Sequence, residues 1–153
     1  MGGASGIDYI GTYFNAYDAD RSLDMNGSGP GSVYQSFATV IGQTYTVSFY
    51  MAGNPAIELG DKPLQVTVAG YSNVFHFDTT GHSLPNIGPW DYDSFSFLAT
   101  AASSTLTFTS LATGPCGPAL DKVEVVPLPP TVLLLGSGLL GLGLLRLRQR
   151  RQA

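Results

Sequence analysis

The most recognisable chemical pattern in this sequence is a set of three glycines near its end. Gly136, Gly138 and Gly141 fit the spacing G-x-G-x-x-G, which in dinucleotide-binding folds holds a pyrophosphate between a strand and a helix. That use needs a further strand and an acidic residue about 20 positions later. Only twelve residues follow Gly141, and no acid follows Glu124. We therefore expect no dinucleotide cofactor, and favour a glycine-rich membrane helix in which small residues permit close helix packing.

Two aromatic residues, Trp90 and Tyr92, are the best candidates for stacking on a sugar. An aromatic ring covers the apolar face of a pyranose while polar neighbours hold its hydroxyl groups. Tyr50 and Tyr71 are further candidates. Aromatic residues also fill the cores of β-proteins, and the sequence leaves both uses open.

The remaining reactive side chains form no recognisable catalytic or metal site. Asp91 and Asp93 either share one face of a strand or lie in an exposed loop, and we expect the loop. His76, His82 and Cys116 lack the spacing of zinc ligands, and no G-x-S-x-G motif is found. The sequence predicts a non-catalytic protein. A polysaccharide-active hydrolase, the alternative, requires two convergent carboxylates about 5–10 Å apart.

The elements that position these residues are predicted to be short β-strands. Apolar and polar residues alternate in Thr44–Met51, a period of two that indicates a half-buried strand. Turn residues separate the segments, and no amphipathic helical window lies between them. We expect an all-β antiparallel sandwich rather than a parallel α/β sheet. The further predicted strands are 64–68, 74–78, 94–99 and 105–111, with weaker patterns at 32–38 and 120–126.

The charge distribution argues against nucleic acid as a partner. Arg21, Lys62 and Lys122 are the three cations before Pro127, and they stand against eleven acids, a net charge of −8. Binding to phosphate groups needs clustered lysine and arginine.

The composition changes abruptly after residue 126. A proline-rich spacer is followed by fifteen uncharged residues, Thr131–Leu145, and then by an arginine-rich end. This order predicts a short transmembrane helix at about 131–147, although a full span usually takes about 20 residues. The arginines would stay cytoplasmic and the acidic body outside. The spacer and its flank comprise Val126, Pro127, Leu128, Pro129 and Pro130, and the arginines are Arg146, Arg148, Arg150 and Arg151.

The tail VPLPPTVLLLGSGLLGLGLLRLRQRR resembles a PEP-CTERM sorting signal. Leu128 replaces the glutamate of Pro-Glu-Pro, as in the VPLPA-type variant. The resemblance implies a protein exported by a Gram-negative-type bacterium. Its implied partners are membrane lipid and an exosortase, a membrane-embedded transpeptidase-like enzyme that cleaves near the motif. The body would be tethered outside the inner membrane and then reach the cell surface or extracellular matrix.

The body resembles the choice-of-anchor C family, the bacterial relative of a plant cell-wall domain of unknown function. The resemblance covers about residues 7–126. The stretches that carry it are RSLDMNGSGPGSVYQSFATVIGQTYTVSFYMAGNP, FHFDTTG and LTFTSLATGPCGPALDKVEVVPLP. It implies a galactose-binding-like jelly roll over 1–126, with a sorting signal over 127–153.

The same resemblance has three consequences for function. Family members begin with a signal peptide and an Asn-Gly-x-Phe-Glu strand, neither of which is present, so we expect the sandwich to be truncated at its N-terminus. Asp121 matches the late aspartate that jelly-roll carbohydrate modules use for structural calcium; a solvated carboxylate at a strand end is the alternative. Together with the tail, the domain predicts a non-enzymatic exported surface or matrix protein, and a second hypothesis is that the sandwich binds envelope or biofilm polysaccharide.

Overall fold

The computed structural model describes residues 2–3 and 6–129. Every strand pairing in it is antiparallel, which confirms the predicted all-β sandwich. The strands are β1 Gly2–Gly3, β2 Asp8–Ile10, β3 Ser22–Asp24, β4 Ser32–Ala38, β5 Thr44–Gly53, β6 Asp61–Val68, β7 Tyr71–Asp78, β8 Asp91–Leu98, β9 Ser103–Ser110 and β10 Pro118–Pro127.

The strands form two five-stranded sheets. The first sheet has the order β1-β4-β9-β6-β7, and the second has the order β2-β3-β10-β5-β8. β5 therefore lies between β10 and β8, and β8 is an edge strand of the second sheet. This placement matters because β5, β8 and β10 carry most of the candidate residues.

The alternating pattern of β5 separates a buried face from a partly exposed face. Tyr45, Val47, Phe49 and Met51 point between the two sheets and are buried. Successive side chains of a strand point to opposite faces. The intervening Thr44, Thr46, Ser48 and Tyr50 therefore lie on the outer face of the second sheet, where they are half-buried.

The centre of the core is a set of perpendicular aromatic contacts around Phe49. Its ring lies 5.0 Å from the ring of Phe75 and 5.2 Å from that of Phe108, at interplanar angles of 87° and 80°. Edge-to-face pairs of this kind stabilise a core beyond the area that they bury. Phe49 thus joins the second sheet to β7 and β9 of the first.

Residues of both sheets line an open cavity of about 780 Å³. Its apolar lining includes Val33, Phe108 and Leu120. Arg21 and Tyr9 also line the cavity, and the Arg21 guanidinium carbon lies 5.0 Å from the centre of the Tyr9 ring. This arrangement places one of the cations of the body at the cavity.

The predicted membrane helix at 131–147 and its arginine flank lie outside the described residues. Within the described part of the chain, the structure has no helix of the length and hydropathy needed to cross a membrane. The helix therefore stays a prediction.

Candidate functional site

Three neighbouring strands place a cross-strand row of polar and aromatic side chains on the outer face of the second sheet. Tyr50 of β5 stands directly opposite Tyr92 of β8 on one side and Asp121 of β10 on the other. The rings of Tyr50 and Tyr92 are 5.2 Å apart and inclined by 57°. Tyr92 keeps 58% of its surface exposed. Two of the tyrosines singled out in the sequence therefore meet.

A third tyrosine joins them from the loop between β2 and β3. The ring of Tyr17 stacks on that of Tyr50, with centres 3.4 Å apart and an interplanar angle of 14°. We call Tyr17, Tyr50 and Tyr92 the tyrosine row. The sequence did not reveal Tyr17, because the segment around it has no strand pattern and its partner lies 33 positions away.

Asp121 holds the Tyr17 loop against the sheet. Its Oδ2 accepts hydrogen bonds from the backbone amides of Tyr17 and Asp18, at 2.8 and 3.1 Å. Its Oδ1 accepts a bond from the amide of Lys122 at 2.7 Å. Bonds to a charged acceptor are stronger than those between neutral groups. Asp121 therefore positions Tyr17 on Tyr50, a role that only the folded chain reveals.

The calcium role that the family resemblance implied for Asp121 stays a prediction. Calcium takes six to eight oxygen ligands, and both carboxylate oxygens of Asp121 also accept backbone amides. Among the residues described, no three or more His, Cys, Asp or Glu side chains come together as a metal-holding group. The alternative of a solvated strand-end carboxylate is incomplete, because Asp121 is half-buried and anchors a loop.

Hydroxyl groups continue the outer face beyond the tyrosine row. Ser48 stands between Ser94 and Glu124 in the next cross-strand row. Thr46 and Ser96 follow, with their hydroxyl oxygens 3.2 Å apart. These short side chains leave the face open and supply both donors and acceptors. The surface thus combines aromatic rings with hydroxyl groups, the two features that sugar binding uses.

The tyrosine row also carries a local ion pair. Lys122 Nζ lies 3.4 Å from Asp18 Oδ2 and 5.9 Å from the centre of the Tyr17 ring. The interaction with the Tyr17 hydroxyl is the main cause that raises the pKa of the Tyr50 phenol above its usual value. Tyr50 therefore stays a neutral hydroxyl at physiological pH.

Trp90 and Tyr71, the other aromatic candidates, lie elsewhere. Trp90 is half-buried and packs against the hydrophobic core, and within the described residues no ring contact joins it to Tyr92. Tyr71 stands opposite Val68 on the inner face of the first sheet. Its ring stacks on Phe95, with centres 3.9 Å apart and an angle of 2°. Trp90 and Tyr71 therefore pack against the core, which is the second of the two uses that the sequence left open.

Asp91 and Asp93 lie in β8, so the expectation of a loop was wrong. They share the inward-facing side of the strand, opposite Met51 and Phe49. Burial, and secondly the charge of Asp91, raise the pKa of Asp93. An inward-pointing charge on an edge strand opposes pairing with another chain, which explains Asp93 without catalysis. Neither acid lines the 780 Å³ cavity.

The three other reactive residues each have structural partners or are buried. His76 is an exposed strand residue, and its Nδ1 lies 2.8 Å from Asp61 Oδ2. His82 is half-buried, with its ring centre 5.1 Å from that of Phe77. Cys116 is a free loop thiol that is buried, and burial raises its pKa. A buried thiol of this kind is a weak nucleophile.

The first residues of the predicted sorting motif are still attached to the sandwich. Val126 and Pro127 pair with Thr46 and Tyr45 of β5. The amide of Leu128 donates to the Thr44 carbonyl at 2.9 Å, and Gln43 Nε2 donates to the Leu128 carbonyl at 2.7 Å. The fold thus extends through residue 128, two positions beyond the predicted boundary. Pro130 lies outside the described residues.

The family of proteins of unknown function DUF642 matches residues 4–126. The chain belongs to this family. The match covers the β-sandwich and supports the domain resemblance seen in the sequence. A curated relative, halomucin of Haloquadratum walsbyi (strain DSM 16790 / HBSQ001), is 30% identical over 123 residues, which are 78% of this chain and 1% of halomucin. The DUF642 chain thus spans a very small part of that relative.

Solved carbohydrate-binding modules share the fold of this DUF642 protein. A family 35 module from Clostridium thermocellum superposes with a TM-score of 0.58 at 16% identity, covering 80% of this chain and 90% of the module. The module TmCBM61, solved in complex with β-1,4-galactotriose, gives a TM-score of 0.56 at 14% identity, covering 83% and 86% of the two chains. At these identities the likeness establishes the β-sandwich architecture alone.

Proposed function

We propose that this protein is a non-catalytic, exported surface or extracellular-matrix protein whose β-sandwich binds polysaccharide. The observation that carries the binding proposal is the tyrosine row, with Tyr92 58% exposed beside a hydroxyl-lined sheet face. The fold shared with carbohydrate-binding modules supports it. The face is built on paired strands, which hold binding groups in fixed positions more firmly than loops do.

The surroundings of three candidate acids support binding rather than hydrolysis. Asp91 and Asp93 face inward from an edge strand, and Asp121, which lines the described cavity, accepts backbone amides. Retaining and inverting glycosidases need two carboxylates on either side of the scissile bond. A polysaccharide-active hydrolase is the alternative, and it would require two such carboxylates.

The binding proposal is tested by Tyr92→Ala, measured by affinity electrophoresis and calorimetry against soluble polysaccharides. An aromatic contact contributes about 0.5–1.5 kcal/mol beyond area burial, so we expect the Kd to rise about threefold to tenfold. Tyr34→Ala is the matched control, because Tyr34 is 49% exposed and stands opposite Thr107 on the outer face of the first sheet. Equal effects of the two variants, or no polysaccharide bound by the parent, would overturn the proposal.

Trp90 stays a secondary candidate for stacking. Because it packs against the core, Trp90→Ala is expected to lower the free energy of unfolding as well as any affinity. Tyr92→Ala is the sharper test, since loss of an exposed ring leaves the fold intact.

We also propose that residues 127–153 act as an exosortase-type sorting signal that tethers the sandwich outside the inner membrane before release to the surface or matrix. The ordered spacer, apolar segment and arginine cluster support this proposal. Leu128, which belongs to the proposed motif, is hydrogen-bonded to Thr44 of β5 and to the side chain of Gln43. The sorting enzyme would therefore approach a site directly beside the folded domain.

The sorting proposal is tested by deleting residues 130–153, which keeps Leu128 and the complete β10. We expect the truncated protein to be secreted freely or mislocalised, as measured by cell fractionation. A variant in which the four terminal arginines are replaced by glutamine tests the membrane flank separately. Unchanged surface retention of the truncated protein would contradict the proposal.

A further inference from the structure

We infer that the tyrosine row selects neutral glycans and rejects polysaccharides that carry carboxylate or sulfate groups. The inference deepens the proposed binding function and rests on it. It follows from the charges that the fold places beside the row, and from where it places the remaining cations of the body.

Acidic groups surround the tyrosine row. Asp121 stands beside Tyr50 in the same cross-strand row, and Glu124 stands beside Ser48 in the next. Asp18 immediately follows Tyr17, and it is exposed, as is Glu124. The outer face near the rings therefore presents three carboxylates. An anionic sugar that stacked on the rings would approach all three of them.

Lys122 is the cation nearest to the row, and it is already paired. Its Nζ lies 3.4 Å from Asp18 Oδ2. Recognition of a uronic acid or a sulfated sugar would call for a free cation in that position, preferably an arginine that binds two oxygens at once. Lys122 instead compensates one of the three carboxylates, and the remaining charge near the rings is negative.

The two other cations of the body have partners of their own. Lys62 is buried at 4% exposure, and its Nζ donates to the Glu58 carbonyl at 2.8 Å. Arg21 lies against the Tyr9 ring in the cavity that Asp121 and Lys122 also line. The cation that contacts the ring of a row member is therefore Lys122, over Tyr17.

The polar groups left for a ligand are neutral and able both to donate and to accept. Ser48, Ser94, Thr46 and Ser96 offer hydroxyl groups in adjacent cross-strand rows. Hydroxyls of neutral sugars match such partners without a charge penalty. Carboxylates beside the rings add acceptors for further sugar hydroxyls, because an ionised carboxylate is an acceptor only.

The test compares polysaccharides that share one backbone and differ in charge. The probes are hydroxyethyl cellulose against carboxymethyl cellulose, dextran against carboxymethyl dextran and dextran sulfate, and unmodified β-1,4-galactan as an additional neutral chain. Affinity electrophoresis and calorimetry at low and at high salt give the apparent Kd values. We expect at least one neutral chain to bind, and its anionic derivative to bind about fivefold more weakly at low salt, roughly the factor of two net like-charge pairs at about 8 Å in water, because Lys122 compensates the third carboxylate.

The preference should shrink when salt screens the charges, since the screening length falls to about 3 Å at 1 M. Glu124→Lys should reduce the ratio of the Kd for the anionic chain to the Kd for the neutral chain several-fold. The Kd for the neutral chain should change little. Glu58→Lys, on the exposed loop before β6, is the control for net charge and should leave the ratio close to that of the parent.

The outcomes separate this inference from the proposed function. Failure of every polysaccharide to bind would overturn both. Anionic chains that bind equally or more tightly, with binding lost in Tyr92→Ala, would overturn the charge preference and leave polysaccharide binding in place. A preference that is unaffected by salt and by Glu124→Lys would also overturn it, because the preference would not be electrostatic.

Discussion

Replacing Asp121 by alanine is expected to release the Tyr17 loop from the sheet. The carboxylate accepts the amides of Tyr17 and Asp18 at 2.8 and 3.1 Å. These residues are 104 and 103 positions away from Asp121 along the chain, so the two bonds close a long loop. Without them, the stack of Tyr17 on Tyr50 depends on the contact between the rings and on the ion pair of Lys122.

The expected magnitude follows from the bonds that are lost. An intramolecular hydrogen bond contributes about 0.5–1.5 kcal/mol net, so the two bonds that hold the distant loop give about 1–3 kcal/mol; the third, from the adjacent Lys122 amide, is exposed and is left out of this sum. The site is half-buried and water can replace the acceptor in part, which favours the lower half of this range. The loss is therefore about 1–2 kcal/mol in the free energy of unfolding.

Two measurements check this expectation. Urea denaturation reports the free energy of unfolding, and amide hydrogen exchange reports protection of residues 17 and 18 directly. Glu124→Ala is the matched control, because Glu124 is an exposed acid on the same strand. Asp121→Asn keeps one acceptor oxygen and should lie between Asp121→Ala and the parent. Unchanged exchange at residues 17 and 18 in Asp121→Ala would refute the anchoring role, whatever the effect on global stability.

Three further variants probe the core and the buried charges. Phe49→Ala should lower the free energy of unfolding by about 3–5 kcal/mol in urea denaturation, whereas Leu98→Ala, at a site 54% exposed, should cost under about 0.5 kcal/mol. Asp24 accepts two backbone amides and an asparagine amide within the fold, so Asp24→Ala should cost about 3 kcal/mol or more, by the same measurement, because buried donors lose their acceptor. Burial raises the folded pKa of Asp93, so the parent loses stability as pH rises from the unfolded value, about 4, through that raised value. Asp93→Asn should remove this loss, so that it is more stable than the parent at pH 7 but not below pH 4. The control Asp20→Asn should leave the free energy of unfolding at pH 7 unchanged. A parallel pH dependence of stability in Asp93→Asn and the parent would contradict this account.

The strands of the sandwich could be predicted because each carries its own alternation. The segment 32–38 was found with its observed bounds, and Thr44–Met51 lacked only the last two residues of β5. Most of the others were displaced or short by one to three residues at their ends, for example 64–68 within Asp61–Val68. The three-residue strands β2 and β3 gave no signal, because three residues are too few to show a period. Their pairing comes from contacts with β10 and with each other.

The candidate site could be predicted only in part, because sequence spacing fixes the face of a residue and not its neighbours. Tyr92 and Tyr50 were both candidates, and register brought them together. Trp90 differs from Tyr92 by two positions, yet it precedes β8 and packs against the core. Tyr17 and the anchoring role of Asp121 depend on contacts between distant segments, which alternation does not encode.

The core and the proposed binding face are two products of one strand pattern, so they constrain each other. Phe49 and Tyr50 are adjacent, and one joins the aromatic core while the other joins the tyrosine row. A register shift of one residue would exchange the two faces, so the buried rings that fix the register also fix the row. The loop that carries Tyr17 is held at one point by Asp121, which accepts the amides of Tyr17 and Asp18, and at another by Phe14, which is buried in the core. The core therefore helps to position all three parts of the row: Phe49 fixes the register that places Tyr50 beside Tyr92, and Phe14 anchors the segment that places Tyr17 on Tyr50.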